Sequence, residues 1–216
     1  MVGLVALLSV WALPALVGTS QSAALQSAQA TLANLVAVTR TKALASGGSA
    51  RLLVNIDPAS PLAEGRYLRY LVMQVQNGAG WETAGDAWLP DGVCLVPRDP
   101  TAPPNLLAPG APWTRPSDSS SLRSTAQRAA GPGFSDAEVT LAINSGNVEL
   151  WAAIKFTAIG TTANSGDLVV ASCRALPPGG FAAGESPIQL ANQENVRGLS
   201  LSAYGLPEYV NAREGF

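Results

Sequence analysis

The sequence predicts an α+β protein in which one long N-terminal helix packs on a head formed by an antiparallel β-sheet or β-sandwich. Up to residue 47 the apolar residues recur at helical spacings of three and four. Beyond the pair Gly47-Gly48 they fall in short runs separated by turn residues, which is typical of strands. Apolar residues make up 47% of the 216 residues and charged residues 13%, which suits a folded chain with a sizeable core. We therefore divide the chain into a helix, 1–47, and a β-rich head, 48–216.

Composition excludes several classes of function. The formal charge of −2 argues against nucleic-acid binding driven by net charge. The chain has no histidine and two cysteines, which removes Ser-His-Asp and Cys-His catalytic sets and the common structural zinc sites. No glycine-rich nucleotide fingerprint is present. We expect no enzyme, no cofactor and no metal site; a hydrolase that uses the carboxylates of Asp136 and Glu138 is a third alternative.

The first 18 residues carry no charge, and the first charged residue of the chain is Arg40. This composition predicts a membrane anchor. A helix of this length reaches about 25 Å, slightly less than the roughly 30 Å of a bilayer's hydrocarbon core. We expect the anchor to continue without interruption into an amphipathic helix, 19–47. The anchor residues are Leu4, Val5, Leu7, Leu8, Val10, Trp11, Leu13, Pro14, Leu16 and Val17.

Two alternatives remain for this N-terminal segment. One is a secretory signal that is cleaved after the small residues Ala28-Gln29-Ala30, so that the mature chain starts at Thr31. The other is a buried helix of a soluble domain, although such a helix is rarely apolar on every side at a chain terminus.

The amphipathic part has one apolar face with helical spacing. Its partner is either the sheet of the same chain or the helix of a neighbouring subunit. We expect the helix to end at Gly47-Gly48, because glycine readily adopts the left-handed conformation that terminates helices. The residues of this packing face are Leu25, Ala28, Leu32, Leu35, Val36 and Ala43.

Several segments of the head have the alternation typical of strands, and Asn77-Gly78 predicts a hairpin turn. Residues 136–143 are compatible with a strand or a helix. Residues 97–133 are rich in proline and serine and predict a long surface excursion. The predicted strands are 51–56, 66–76, 93–96, 148–157, 168–174 and 198–204.

Two sets of side chains in the head are candidates for chemistry or binding. Cys94 and Cys173 are 79 positions apart. They either form a disulfide in an oxidising compartment or remain two buried thiols. Near the predicted hairpin lies an aromatic group that could form a platform for sugars, or else belong to the core and to cross-strand pairs. The aromatic residues are Trp81, Trp88, Tyr67 and Tyr70.

The N-terminal region resembles the type IV pilin and type II secretion pseudopilin family, in particular minor members of the H-type pseudopilin and FimT kind. Leu13-Pro14-Ala15-Leu16 resembles the family's proline-containing apolar helix, and residues 35–48 are similar to its passage L-x-x-A-R-x-x-A-x-x-x-G before the first strand. Weaker similarities are found at 85–89, 156–160 and 197–205. Pilin-like proteins of the Verru_Chthon cassette group are also similar.

The resemblance implies a structural subunit without an active site. In this family the apolar helix holds the precursor in the inner membrane with the head in the periplasm. A prepilin peptidase removes a short leader, the new N-terminus is methylated, and helices of pilin-like subunits stack into a filament at the cell surface. If Pro14 is matched to the family's helix proline, the leader's glycine and the glutamate that follows it are expected upstream of Met1. The alternative function is a secreted or membrane-tethered β-sandwich that binds a glycan or a protein.

Overall fold

In a computed structural model, the protein consists of a long N-terminal helix packed on antiparallel β-sheets. The structure describes residues 2–60, 63–97, 104–109, 138–143, 146–162, 165–191, 195–213 and 216, and the side chains of residues 20 onward within these ranges, apart from those of Glu64 and Glu138. The helix α1 spans Val2–Ser46, and Gly47 ends it with a φ of 64°, as the glycine pair predicts. A second, short helix α2 spans Ala63–Arg66.

The described part of the head contains ten strands: β1 Ala50–Asn55, β2 Tyr70–Asn77, β3 Gly80–Trp88, β4 Val93–Leu95, β5 Glu138–Ala142, β6 Val148–Phe156, β7 Gly166–Ala175, β8 Ile188–Leu190, β9 Val196–Leu201 and β10 Pro207–Val210. The first sheet has the order β3-β2-β1-β6-β5. The second has the order β10-β9-β7-β4, and β8 also pairs with β7. Every pairing between these strands is antiparallel.

One apolar core joins α1 to both sheets. Leu25 and Leu32 of the helix pack in the same cluster as Leu52 of the first sheet and Leu168 and Leu199 of the second. The predicted α+β class, with a helix on an antiparallel sheet, is therefore confirmed. The sandwich option is not confirmed, because the apolar faces of both sheets meet the helix in this shared cluster.

The opposite face of the first sheet has a cluster of its own, which includes the fully buried Leu53, Val72 and Trp151. Alternation along β1 explains the two clusters. Leu52 and Val54 point to the helix, and Leu53 between them points away from it. Strands that are apolar on both faces are typical of a sheet buried on both sides.

The predicted strand 66–76 is wrong in its first four residues. Arg66 ends α2, residues 67–69 form a turn, and the strand begins at Tyr70. Leu68 has a φ of 56°, which is uncommon for leucine. Its backbone N–H donates to Asn55 O at 2.9 Å, and Leu95 N donates to its carbonyl at 2.9 Å. These tertiary hydrogen bonds and the burial of Leu68 override the local alternation.

The other expectations for the head have mixed outcomes. Asn77-Gly78 forms the turn between β2 and β3, with Gly78 at a φ of 58°. The ambiguous segment 136–143 contains strand β5, whereas β3, β8 and β10 were not predicted. Within 97–133 the structure describes residue 97 and residues 104–109. Leu106 is buried there, and its backbone carbonyl accepts a hydrogen bond from Leu190 N at 2.8 Å. The rest of the excursion lies outside the described residues.

Candidate functional site

The candidate site is the part of α1 that lies on the head, beginning with its inward face. The predicted packing residues Leu25, Ala28, Leu32, Leu35, Val36 and Ala43 are all buried, none more than 5% exposed. They contact the sheets of the same chain, which is one of the two partners that the sequence left open. Burial of a leucine side chain contributes about 1.5–3 kcal/mol, so this face holds the helix firmly on the head.

A polar side chain on the inward face also ties the helix to the second sheet. Gln29 is 2% exposed, and its amide nitrogen donates to Gly198 O at 2.7 Å and to Val210 O at 2.9 Å. These carbonyls belong to β9 and β10, at positions that face each other in the ladder. The sequence pattern alone does not identify Gln29 as a packing residue, because a glutamine in an amphipathic helix is typical of the solvent face. The one indication in the sequence is the position of Gln29 on the helix, next to Ala28 and three residues before Leu32 of the predicted packing face.

A third connection lies near the C-terminal end of α1. Arg40 Nε donates to Gly160 O and to Tyr204 O, both at 3.1 Å. These carbonyls belong to the turns that follow β6 and β9. Gly205 packs closely there, since an added Cβ would lie 2.6 Å from Gly160 O and 3.1 Å from Arg40 Cδ. The helix is thus fixed to the head at its middle and near its C-terminal end.

The outward face of α1 carries a line of small, uncharged side chains. These residues recur at spacings of four and three, so they lie along one side of the helix. No charged residue occurs between residues 20 and 39. Thr41 Oγ1 donates to Ala37 O at 2.8 Å, so its hydroxyl is satisfied within the helix. We call this line the outward stripe, and its exposed residues are Ala23, Ser27, Ala30, Asn34, Ala37 and Thr41.

Small residues permit close approach of a second helix, because the distance between two helix axes, 8–10 Å, depends on the side chains at the contact. Charged side chains usually cover the solvent face of a surface helix, and the outward stripe has none. The arrangement therefore suits contact with another helix at low desolvation cost.

The anchor residues predicted between Leu4 and Val17 belong to α1, and their side chains lie outside the described residues. Among the described residues, no helix combines the length and the apolar composition needed to cross a membrane.

The four aromatic residues near the hairpin do not form a common platform, which was one of the two alternatives for them. Trp81 pairs with Gln76 and Trp88 with Tyr70, which are six positions apart on β2, so the backbone positions of the two tryptophans are about 20 Å apart at 3.4 Å per residue. The guanidinium of Arg51 lies over the indole of Trp81, with Arg51 Cζ 4.1 Å from the ring centroid. Trp88 is 48% exposed and lies 4.5 Å from the ring of Tyr70.

The remaining aromatic and charged candidates are placed as follows. Tyr67 is 2% exposed, and burial raises its pKa, with a smaller contribution from the neighbouring Cys94. Burial also lowers the pKa of Arg51. Asp136 lies outside the described residues, as does the side chain of Glu138 at the start of β5. Cys94 and Cys173 are buried free thiols on the neighbouring strands β4 and β7.

Comparisons with known proteins give one structural similarity. No family model matches the sequence. No curated protein is detectably similar to it. Among solved structures, the chain is similar to the minor pseudopilin EpsH from the Type 2 Secretion System of Vibrio cholerae, with 13% sequence identity and a TM-score of 0.38. The similarity covers 87% of this chain and 95% of that one.

Proposed function

We propose that the protein is a minor pilin-like, or pseudopilin, structural subunit of a type IV pilus or type II secretion filament. In this proposal residues 1–18 hold the chain in the inner membrane before assembly, with the head in the periplasm. The outward stripe then packs against the helices of other pilin-like subunits. The subunit performs no catalysis, and its activity is assembly.

The observation that carries the proposal is the difference between the two sides of α1. Its inward side is buried on the head, and Gln29 and Arg40 hold it in place. Its outward side is exposed, small and uncharged from Ala23 to Ala37. A helix that needed only to cover its own sheet would gain solubility from charges on the outer side. The absence of charge there, together with the uncharged first 18 residues, supports a helix that leaves lipid by exchanging it for other helices.

Photo-cross-linking of the full chain in its native membrane tests this proposal. A photoreactive phenylalanine analogue replaces Asn34 on the outward stripe, and the same analogue replaces the exposed Ala183 in a head turn as the control. We expect cross-links from position 34 to another pilin-like subunit or to a second copy of the chain. Cross-links of equal yield from both positions, or none from position 34, would contradict the proposal.

Charge substitutions provide an independent test of the same surface. Ala30→Arg places a long cation on the outward stripe, and Ala183→Arg makes the same change on the head. We expect Ala30→Arg to abolish subunit association, measured by sedimentation of detergent-solubilised protein, because a charge buried between helices costs several kcal/mol. The control variant should associate like the wild type. Unchanged association of Ala30→Arg would rule out the outward stripe as the interface.

The membrane location has its own test. We expect membrane-associated protein to retain the helix that precedes Thr31, as determined by mass spectrometry of its N-terminus. A mature chain that starts at Thr31 would instead indicate a cleaved signal, and would favour the secreted binding module.

A further inference from the structure

The two cysteines of the chain occupy one face of the second sheet. Cys94 on β4 lies opposite Ala171 on β7, and Cys173 is two positions further along β7. Alternation therefore places both thiols on the same side of the sheet, in diagonally adjacent positions. The backbone N–H of Cys173 donates to Gly92 O at 2.8 Å and extends the ladder to this position. Both side chains belong to the apolar cluster that includes Tyr67, Leu106 and Ile188.

The two thiols contact each other and are not equivalent. Cys94 is fully buried, whereas Cys173 is 9% exposed and lies between exposed neighbours, Gly92 across the ladder and Arg174 along the strand. The neighbouring Cys94 side chain lowers the pKa of Cys173, and burial opposes this change. Burial, followed by the neighbouring Cys173, raises the pKa of Cys94 well above its ordinary value.

A partly buried cation, Arg69, lies near enough to the pair to act on both thiols. The charge of Arg69 lowers the pKa of both thiols. One of its terminal nitrogens donates to Asp91 Oδ1 at 2.5 Å and to Leu89 O at 3.2 Å. Its Nε is buried and has no hydrogen-bond partner within the part of the chain that the structure describes. A buried donor without a partner is rare in folded proteins, and the positive charge of this guanidinium favours the thiolate form of the nearby cysteines.

We propose that Cys94 and Cys173 form a thiol–disulfide exchange site, in which Cys173 attacks an external disulfide and Cys94 resolves the mixed disulfide. The oxidant is the disulfide of a small thiol or of a thiol–disulfide oxidoreductase. The Cys173 thiolate bonds to one sulfur of the oxidant, and the other sulfur leaves as a thiolate. The thiolate released in the first step takes up the proton of Cys94, whose sulfur then attacks Cys173 Sγ and releases the second thiolate.

The exchange is balanced and reversible. Two thiol groups of the protein lose two electrons and two protons, and the oxidant takes them up as two thiols. The product is a bond between β4 and β7 that joins residues 79 positions apart in the sequence. Oxidation would thus join two neighbouring strands of the second sheet covalently and close a loop of the chain that includes residues 97–133.

Exchange with glutathione tests the proposal on the full chain. The reduced protein is mixed with oxidised glutathione, and products are identified by mass spectrometry after alkylation of the remaining thiols. We expect the wild type to form the Cys94–Cys173 disulfide without retaining glutathione. We expect Cys94→Ser to accumulate a glutathione adduct at Cys173, because the resolving thiol is missing. Cys173→Ser should react at Cys94 at least roughly ten-fold more slowly than Cys94→Ser reacts at Cys173, because Cys94 is fully buried and its burial raises its pKa.

Three results would overturn the proposal: glutathione adducts on both cysteines of the folded wild type, two thiols that remain free, or equal reaction rates for the two serine variants. Chain unfolded in denaturant serves as the reference, because its two thiols should react alike. The role of Arg69 as a positioning residue is tested by the rate at which Cys173 of the Cys94→Ser variant reacts with oxidised glutathione, measured against pH. In this variant we expect an added Arg69→Met to move the rate profile to higher pH and an added Arg69→Lys to leave it near its original position. Identical profiles for the three proteins would remove Arg69 from the site.

Discussion

The hydrogen bonds from Gln29 to β9 and β10 allow a sharp test of how α1 is held on the head. Gln29→Ala removes two donors, and the carbonyls of Gly198 and Val210 lose these partners in a buried setting. An unsatisfied buried acceptor costs about 1–3 kcal/mol, so we expect the free energy of unfolding to fall by about 2–4 kcal/mol. Gln26→Ala is the matched control, because Gln26 is exposed on the same helix, and its effect should stay within about 0.5 kcal/mol.

The assay is urea unfolding of the full chain, followed by near-ultraviolet circular dichroism, with the slope of each transition checked against the wild type. Gln29→Glu adds a pH test. A carboxylate at this position would face two carbonyl oxygens in a buried site, so its folded-state pKa should be raised above the unfolded value of about 4.3. The variant should then be most stable below that unfolded value and lose stability as the pH rises through the folded-state pKa.

The stability of Gln29→Ala relative to the wild type should not vary over the same pH range. Equal unfolding free energies for Gln29→Ala and Gln26→Ala would refute the argument that this amide joins the helix to the second sheet. A pH-independent Gln29→Glu would refute the inferred burial of the site.

Three further predictions concern the core, the first sheet and the thiol pair. Leu32→Ala should lower the free energy of unfolding by about 2–5 kcal/mol in urea titrations, since Leu32 is fully buried against both sheets; a loss below 1 kcal/mol, typical of surface positions, would contradict this packing. Trp81→Ala should lower the free energy of unfolding by about 0.5–2 kcal/mol, because the contact of the indole with the Arg51 guanidinium is lost. If Trp81→Ala lowers it by the same amount in a protein that also carries Arg51→Met, the cation contributes nothing to this contact. Oxidation that links Cys94 to Cys173 should stabilise the chain by up to about 4.5 kcal/mol over the reduced form, measured by thermal unfolding, and equal midpoints would contradict this.

The sequence predicts the parts of the fold that depend on local conformation. Gly47 ends α1 and Gly78 forms the hairpin turn, both with positive φ, because glycine is the residue that adopts this conformation at little cost. The strands β1 and β6 are found within one residue of their predicted bounds, since their long aliphatic runs have strong β-propensity. These elements need no knowledge of tertiary contacts.

The errors arise where tertiary contacts decide the conformation. Leu68 adopts a left-handed conformation because its N–H and carbonyl pair with Asn55 and Leu95, residues far away in the sequence. Strand β3 carries few aliphatic residues and includes Gly85 at an irregularity in the ladder, so its alternation is weak. The candidate site shows the same limit, because the apolar spacing identifies residues such as Leu32, whereas the burial of Gln29 depends on two carbonyls of distant strands.

The attachments of α1 matter for the proposed assembly because they fix which side of the helix remains accessible. Rotation of the helix by one residue, about 100°, would break the hydrogen bonds of Gln29 and Arg40 and expose Leu25 and Leu32. The head therefore determines the orientation in which the helix presents Ala30 and its neighbours on the outward stripe. Gln29→Ala should therefore weaken subunit association and also lower the free energy of unfolding. Ala30→Arg should weaken association alone, because an exposed position tolerates arginine in the isolated subunit. A Gln29→Ala protein that is destabilised but associates with wild-type affinity would show that assembly does not depend on this orientation.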